Sequence, residues 1–145
     1  MSALEKIFEK QIVVKSSTDN LAQIRDFTKA AALQSGFGED AVGKIILAVD
    51  EACTNIIKHA YKFSTNGEIT ISITSSQGKF TISITDEGTH FDSTKIPEPD
   101  LREYYKQKRV GGLGMFLMKR LMDEVKYGTI TDNKNQVVLI KYLPQ

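Results

Sequence analysis

The sequence predicts an α/β sandwich whose strands pair mainly through hairpins. Apolar residues recur at helical spacing in the first half of the chain, and after Asn66-Gly67 they change to strict alternation. The predicted order is strand, two helices, two strands, a long loop, a helix and two strands. With 145 residues and no internal repeat or low-complexity tract, the whole chain, residues 1–145, is predicted to be a single domain.

The first half contains the first predicted strand and two predicted helices. A β-branched run over residues 11–15 indicates a short edge strand. Residues 17–20 offer polar N-caps for a helix that Gly36 closes. The apolar period then predicts a second helix from about residue 39 to residue 61.

The second half contains the remaining strands and a third helix. Isoleucines alternate with Ser and Thr on both sides of Gln77-Gly78, which predicts a β-hairpin with one buried face. A charged loop with two prolines follows, and a loop of this length inside a compact domain is usually functional. The predicted elements are the loop over 93–110, a helix over 115–125, and a closing hairpin of strands over 126–131 and 136–142.

Composition restricts the functional class. The chain has 19 Lys and Arg against 18 Asp and Glu, so its charge gives no bulk reason to bind nucleic acid or an anionic membrane. The single cysteine, Cys53, has no internal disulfide partner and is predicted to be a small core residue. The N-terminus lacks a secretory pattern, and no apolar run reaches the ~20 residues of a membrane span. We predict a cytoplasmic protein without a direct nucleic-acid or membrane partner.

The predicted second helix carries a polar stripe. Glu51, Asn55 and Lys58 lie at about 0°, 40° and −20° around its axis, opposite the apolar face. Any amphipathic helix has such a polar face, so a solvated surface is the alternative interpretation. Asn is disfavoured inside helices, however, and its amide oxygen suits Mg²⁺, while a carboxylate one turn away can accept a proton. His59 lies at the edge of the stripe and is interpreted as structural.

Asp86, Glu87 and Gly88, which we name the Asp-Gly turn, follow an alternating strand. A glycine there tolerates positive φ and lets a ligand approach the backbone closely. The carboxylate of Asp86 can accept a hydrogen bond from an exocyclic amine such as that of adenine. An ordinary acidic turn is the alternative interpretation.

Three glycines, Gly111, Gly112 and Gly114, precede the predicted third helix. Unobstructed backbone N–H groups at a helix N-terminus favour anions such as phosphate, although such turns also arise from packing alone. The commoner phosphate motifs are absent from the sequence. Gly43-Lys44 is followed by Ile45, so there is no P-loop, and position 117 is Leu where a dinucleotide motif has its third glycine.

In this order the three motifs resemble those of the GHKL ATPase superfamily, which includes gyrase, histidine kinases and MutL. Residues 51–61 resemble the N box of the bacterial anti-sigma-factor serine kinases, and the Asp-Gly turn resembles their first glycine box. Residues 109–117 resemble their second glycine box. The resemblance extends over nearly the whole chain.

The resemblance implies a Bergerat fold, which is a two-layer sandwich with a mixed, mainly antiparallel sheet covered on one face by helices. It implies ATP and Mg²⁺ as cofactors, with Glu51 as the general base that deprotonates a protein serine, Asn55 as a Mg²⁺ ligand and Asp86 as the adenine-binding residue. The loop over 93–110 would be the ATP lid. The implied cofactor-binding residues are Asn55, Lys58, Asp86, Gly88, Arg109, Gly111, Gly112, Leu113 and Gly114.

The resemblance also implies partners. The protein would phosphorylate a STAS-domain anti-sigma antagonist on Ser or Thr, sequester a sigma factor and form a homodimer. Two alternatives stay open, namely a non-catalytic nucleotide-binding adaptor and a switch kinase that binds no sigma factor. One position departs from the superfamily pattern, because His90 replaces the second glycine of the first glycine box and the local backbone there is expected to differ.

Overall fold

A computed structural model describes residues 7–88, 118–131 and 133–144. These residues form one five-stranded sheet with strand order β1-β2-β3-β5-β4, in which every pairing is antiparallel. The α/β sandwich is therefore confirmed, and the described sheet has no parallel pair. The strands are β1 (Phe8–Lys15), β2 (Glu68–Ser76), β3 (Lys79–Asp86), β4 (Glu124–Thr131) and β5 (Lys134–Tyr142), and the helices are α1 (Leu21–Ser35) and α2 (Glu39–Asn55).

The first strand and the first helix agree with the sequence prediction. β1 is an edge strand, as predicted, and it begins at Phe8 because its pairing with β2 extends to Ser75. Helix α1 ends at Ser35 and is capped by Gly36, whose φ of 104° is left-handed, a conformation that glycine adopts at little cost. The N–H groups of Gly36 and Phe37 donate to carbonyls of the last turn of α1, which satisfies them.

Helix α2 has the predicted extent but changes its winding near its end. It begins at Glu39, and after Asn55 the chain continues as a π turn (Ile56–Ala60). The N–H of Tyr61 donates to the carbonyl of Ile56, five residues earlier, at 3.0 Å. Because a π turn contains more residues than an α turn, the angle predicted for Lys58 from a regular helix is wrong.

The hairpin of β2 and β3 is confirmed. Its two turn residues, Gln77 and Gly78, have φ values of 53° and 80°. Positive φ at both positions gives a turn whose twist matches that of the flanking strands. The side chains of both strands alternate between buried and more exposed, as the isoleucine pattern predicts.

The predicted end of the third helix is wrong. Residues 118–121 are helical, and the chain then enters β4 at Glu124, so Val125 is a strand residue opposite Leu139. The helical stretch ends where Lys141 donates from Nζ to the carbonyl of Leu121 at 2.7 Å. Val125, whose apolar side chain continued the helical spacing, therefore belongs to the sheet. The start of this helix and the loop over 93–110 lie outside the described residues.

The core lies between one face of the sheet and the two helices. Cys53 is completely buried there, as predicted, and burial raises the pKa of its thiol above the usual range. Within the described residues, no helix is long and apolar enough to cross a membrane. The fully buried large side chains are Ile24, Ile45, Val49, Ile57, Ile69, Ile71, Ile73, Phe80, Ile82, Ile84, Met118 and Leu139.

Candidate functional site

Asp86 is a buried carboxylate at the end of β3. It is 4% exposed, and its Oδ1 accepts hydrogen bonds from the N–H of Gly88 at 2.9 Å and from Nδ2 of Asn135 at 3.1 Å. Asn135 stands directly opposite Asp86 in the pairing of β3 with β5. A buried carboxylate is costly unless hydrogen-bonded, so these donors hold the acid in place.

Strand β5 also supports the rest of the Asp-Gly turn. Nδ2 of Asn135 donates a second hydrogen bond to the carbonyl of Gly88 at 3.2 Å. Nζ of Lys134 lies 3.9 Å from Oε1 of Glu87, and both side chains are well exposed, so this ion pair contributes little. Asn135 is therefore the main contact between β5 and the turn.

Gly88 packs directly against the end of helix α2. A Cβ added at Gly88 would lie 2.6 Å from the carbonyl carbon and the carbonyl oxygen of Ala60, closer than real Cβ contacts. Ala60 is the last residue of the π turn, five residues after Asn55. The structure thus brings two of the three predicted motifs together, with glycine at their point of contact.

Tyr61 makes a second link between the two motifs. Its hydroxyl donates to the carbonyl of Glu68 at 2.6 Å and accepts from the N–H of Glu87 at 2.8 Å. Partial burial raises the pKa of the Tyr61 phenol, and the nearby charge of Asp86 raises it further. The neutral phenol is therefore the form that the folded protein favours.

The raised pKa predicts a loss of stability at alkaline pH. Below a pH of about 10 Tyr61 is neutral in both states, and above it the unfolded chain loses this proton first, so stability falls as pH rises. We expect the stability advantage of wild type over Tyr61→Phe to shrink above that pH, as measured by urea unfolding. If the difference in free energy of unfolding between wild type and Tyr61→Phe stays constant to pH 11, the pKa of Tyr61 is not raised by folding.

The polar residues at the end of α2 and in the π turn differ in burial. Glu51 and Lys58 are half-buried and His59 is exposed, whereas Asn55 is only 7% exposed. The polar stripe is therefore not uniformly solvated, because Asn55 is enclosed while Glu51 and Lys58 keep part of their side chains exposed. Asn55 is the last residue of α2 and keeps helical dihedrals of φ −61° and ψ −40°, so its burial comes from what surrounds the helix end and not from a change of winding.

The third motif lies outside the described residues. This applies to Arg109, Gly111, Gly112, Leu113 and Gly114, and also to His90. Their assignment to the phosphates therefore stays a prediction. The described part of the site consists of the end of α2, the Asp-Gly turn and the start of β5.

Comparison with known proteins decides the family. The model of the histidine kinase-like ATPase domain matches residues 14–141, which is most of the chain. The chain belongs to this family. The resemblance drawn from the three motifs is thereby confirmed, and ATP is the nucleotide of this histidine kinase-like ATPase domain.

Relatives of this ATPase domain include serine-protein kinases. The serine-protein kinase RsbW of Listeria monocytogenes is 38% identical over 116 residues, which cover 77% of this chain and 73% of the relative. RsbW of Bacillus subtilis is 34% identical over 121 residues, covering 80% and 75%. A crystal structure of RsbU and RsbW domains from Mycobacterium tuberculosis has a TM-score of 0.68 at 14% identity, covering 94% of this chain and 32% of that one. That structure supports the fold alone.

Among residues 7–88, 118–131 and 133–144, no group of three or more His, Cys, Asp or Glu side chains is placed to hold a metal. Mg²⁺ in nucleotide sites takes one or two protein ligands and completes its shell with phosphate and water. The buried amide of Asn55 fits that chemistry as a single oxygen donor.

Sequence reasoning missed two residues of the ATPase domain's site. Tyr61 was predicted as the end of a helix and of the N-box segment, without a task of its own, and Asn135 only as part of a turn. Asn135 contacts Asp86 across 49 positions, through the pairing of β3 with β5, which alternation within either strand does not reveal. The available signal for Tyr61 was its position six residues before Gly67, because its ring packs against that glycine.

Proposed function

We propose that this protein is an ATP-dependent protein-serine/threonine kinase that phosphorylates a STAS-type anti-sigma antagonist and sequesters a sigma factor. The observation that carries the proposal is the contact of the buried Asp86 turn with the end of the helix that bears Glu51 and Asn55. Relatives named serine-protein kinase support the activity. The resemblance to anti-sigma-factor kinases supports the partners.

Each described residue has one task in this proposal. Asp86 accepts a hydrogen bond from the adenine amine, and Asn55 offers its amide oxygen to Mg²⁺. Bound Mg-ATP supplies the phosphoryl group and a cation that neutralises its charge. Glu51, one helical turn before Asn55, accepts the proton of the substrate hydroxyl as the oxygen attacks the γ-phosphorus. The bond from the γ-phosphorus to the β,γ-bridging oxygen breaks, and ADP leaves.

The phosphate end of the site belongs to the proposal as well. Lys58 and Arg109 contact phosphates, and Gly88, Gly111, Gly112, Leu113 and Gly114 let the backbone approach the nucleotide closely. Residues 93–110 are the ATP lid of a single domain over residues 1–145. We place the protein in the cytoplasm as a homodimer, and light scattering on the purified protein tests the oligomeric state.

The direct test is transfer of labelled phosphate. Purified protein, Mg²⁺ and γ-labelled ATP are incubated with a STAS antagonist, and the same antagonist with its acceptor serine changed to alanine is the control. The proposal expects label only on the unaltered antagonist. ATP binding without transfer to any antagonist would instead favour an adaptor. If the protein transfers phosphate but does not co-elute with a sigma factor in gel filtration, it is a switch kinase.

Asn55→Ala tests the metal ligand. We expect the affinity for Mg-ATP to fall about 10- to 100-fold, because a hydrogen bond to a charged group contributes roughly 1.5–3 kcal/mol and a bond from the amide oxygen to the cation should be of similar size. Affinity for ATP measured in EDTA should stay near the wild-type value, and calorimetry with and without Mg²⁺ measures both. An equal loss under the two conditions would mean that Asn55 shapes the helix end rather than the metal.

A further inference from the structure

We propose that Tyr61 is a positioning residue that sets the Asp-Gly turn for recognition of the adenine base. The inference rests on the proposed role of Asp86 and assigns a task to a residue that the three motifs left unexplained. The hydroxyl of Tyr61 contacts the turn, whereas its ring packs at Gly67. Tyr61 therefore holds the backbone of the turn in place from outside the turn.

The hydroxyl of Tyr61 bridges two backbone segments. It accepts from the N–H of Glu87 at 2.8 Å and donates to the carbonyl of Glu68 at 2.6 Å. Glu87 lies between Asp86 and Gly88, so this bond fixes the peptide in the middle of the turn. Glu68 begins β2, whose next residue, Ile69, pairs with Asp86. The hydroxyl of Tyr61 therefore fixes the position of the turn relative to the start of β2.

The ring of Tyr61 has a fixed seat. A Cβ added at Gly67 would lie 2.3 Å from Cε1 of the ring, so the ring occupies the space that any larger residue there would need. Gly67 is itself held by Ser16: its N–H donates to Oγ at 3.1 Å and its carbonyl accepts from the Ser16 N–H at 2.9 Å. The phenol therefore has little freedom to move.

Two supports act on the turn from opposite elements. Asn135 of β5 holds the side chain of Asp86 and the carbonyl of Gly88, while Tyr61 holds the N–H of Glu87 from the end of the π turn. Tyr61 follows the helix that carries Asn55. It thus couples the position of the proposed adenine acceptor to the helix proposed to bind the metal.

A positioning role and a purely structural role predict different nucleotide preferences. Inosine carries an oxo group where adenine carries its amine, so ITP cannot donate the hydrogen bond that Asp86 is proposed to accept. If the turn shifts, ATP loses this bond and ITP has none to lose. A general loss of stability would weaken both nucleotides equally in the folded protein.

The experiment measures dissociation constants of Mg-ATP and Mg-ITP for wild type and variants by calorimetry. For Tyr61→Phe we expect the affinity for ATP to fall about 5- to 10-fold, while the affinity for ITP changes less than about twofold. The ratio of ATP affinity to ITP affinity should therefore decrease. Gly67→Ala, which displaces the same ring, should decrease this ratio in the same way. The control is Tyr142→Phe, at the opposite end of β5 from Asn135, where the ratio should stay as in wild type.

The outcomes separate the two levels of the proposal. A wild type that prefers ATP, with an unchanged ratio in Tyr61→Phe, overturns the positioning role and leaves the proposed function intact. Narrowing in Tyr61→Phe and in Gly67→Ala supports the role. A wild type that binds ITP as tightly as ATP overturns the role of Asp86, and this inference with it.

Discussion

Glu51→Gln is expected to reduce phosphoryl transfer by at least about 100-fold, because a positioned general base contributes 10²–10⁴-fold. Gln keeps the size of Glu and can still accept a hydrogen bond, but it cannot take the proton of the substrate hydroxyl. ATP affinity should change less than about twofold, since the proposed nucleotide contacts lie on other residues. Single-turnover transfer and calorimetry on one preparation measure the two quantities.

The neighbouring acid provides the matched control for Glu51. Asp50 is bonded to Arg25 of α1 at 3.1 Å, so its carboxylate already has a structural partner. Asp50→Asn should retain transfer and lose at most about 1 kcal/mol of stability, because the pair is partly exposed. Full transfer by Glu51→Gln, or equal loss in both variants, would remove Glu51 from the role of base.

Gly88→Ala is expected to abolish measurable ATP binding. The added methyl would lie 2.6 Å from backbone atoms of Ala60, which cannot rotate aside as a side chain can. The turn must then move away from the π turn, taking the carboxylate of Asp86 with it. Overpacking of this kind also costs about 1–3 kcal/mol, which urea unfolding measures alongside binding.

Gly43→Ala is the matched control for Gly88→Ala. Gly43 lies inside α2, and apart from its chain neighbours and the backbone of its own helix no atom lies within 4 Å of an added Cβ. Alanine there should raise the free energy of unfolding by about 0.5–1 kcal/mol, because glycine is a poor helix former, and ATP affinity should stay unchanged. Normal ATP binding by Gly88→Ala would show that close contact with Ala60 is dispensable.

Local signals predicted most elements of the fold. Gly36 ended a helix because only a left-handed residue continues the chain there, and Gln77-Gly78 marked a hairpin for the same conformational reason. Neither the π turn nor the true end of the third helix could be predicted in this way. Apolar spacing does not distinguish α from π winding, and Val125 fits a helix or a strand equally well.

The candidate site was predictable in its residue types and not in its internal contacts. Asp86 and Gly88 stood out because an acid and a glycine ended an alternating strand. Their support by Asn135 depends on a strand pairing between elements that are not consecutive, which no single segment encodes. The burial of Asn55 likewise depends on what surrounds the helix end.

The pairing of β3 with β5 has a consequence for how the protein matures. Its last described strand, β5, enters the sheet between β3 and β4, so the described sheet stays incomplete until β5 has been synthesised. Contacts this distant in sequence form late, because the loop that they close is long. Asp86 is therefore synthesised well before the amide that holds it. Competence to bind nucleotide would therefore arrive only after β5 has joined the sheet.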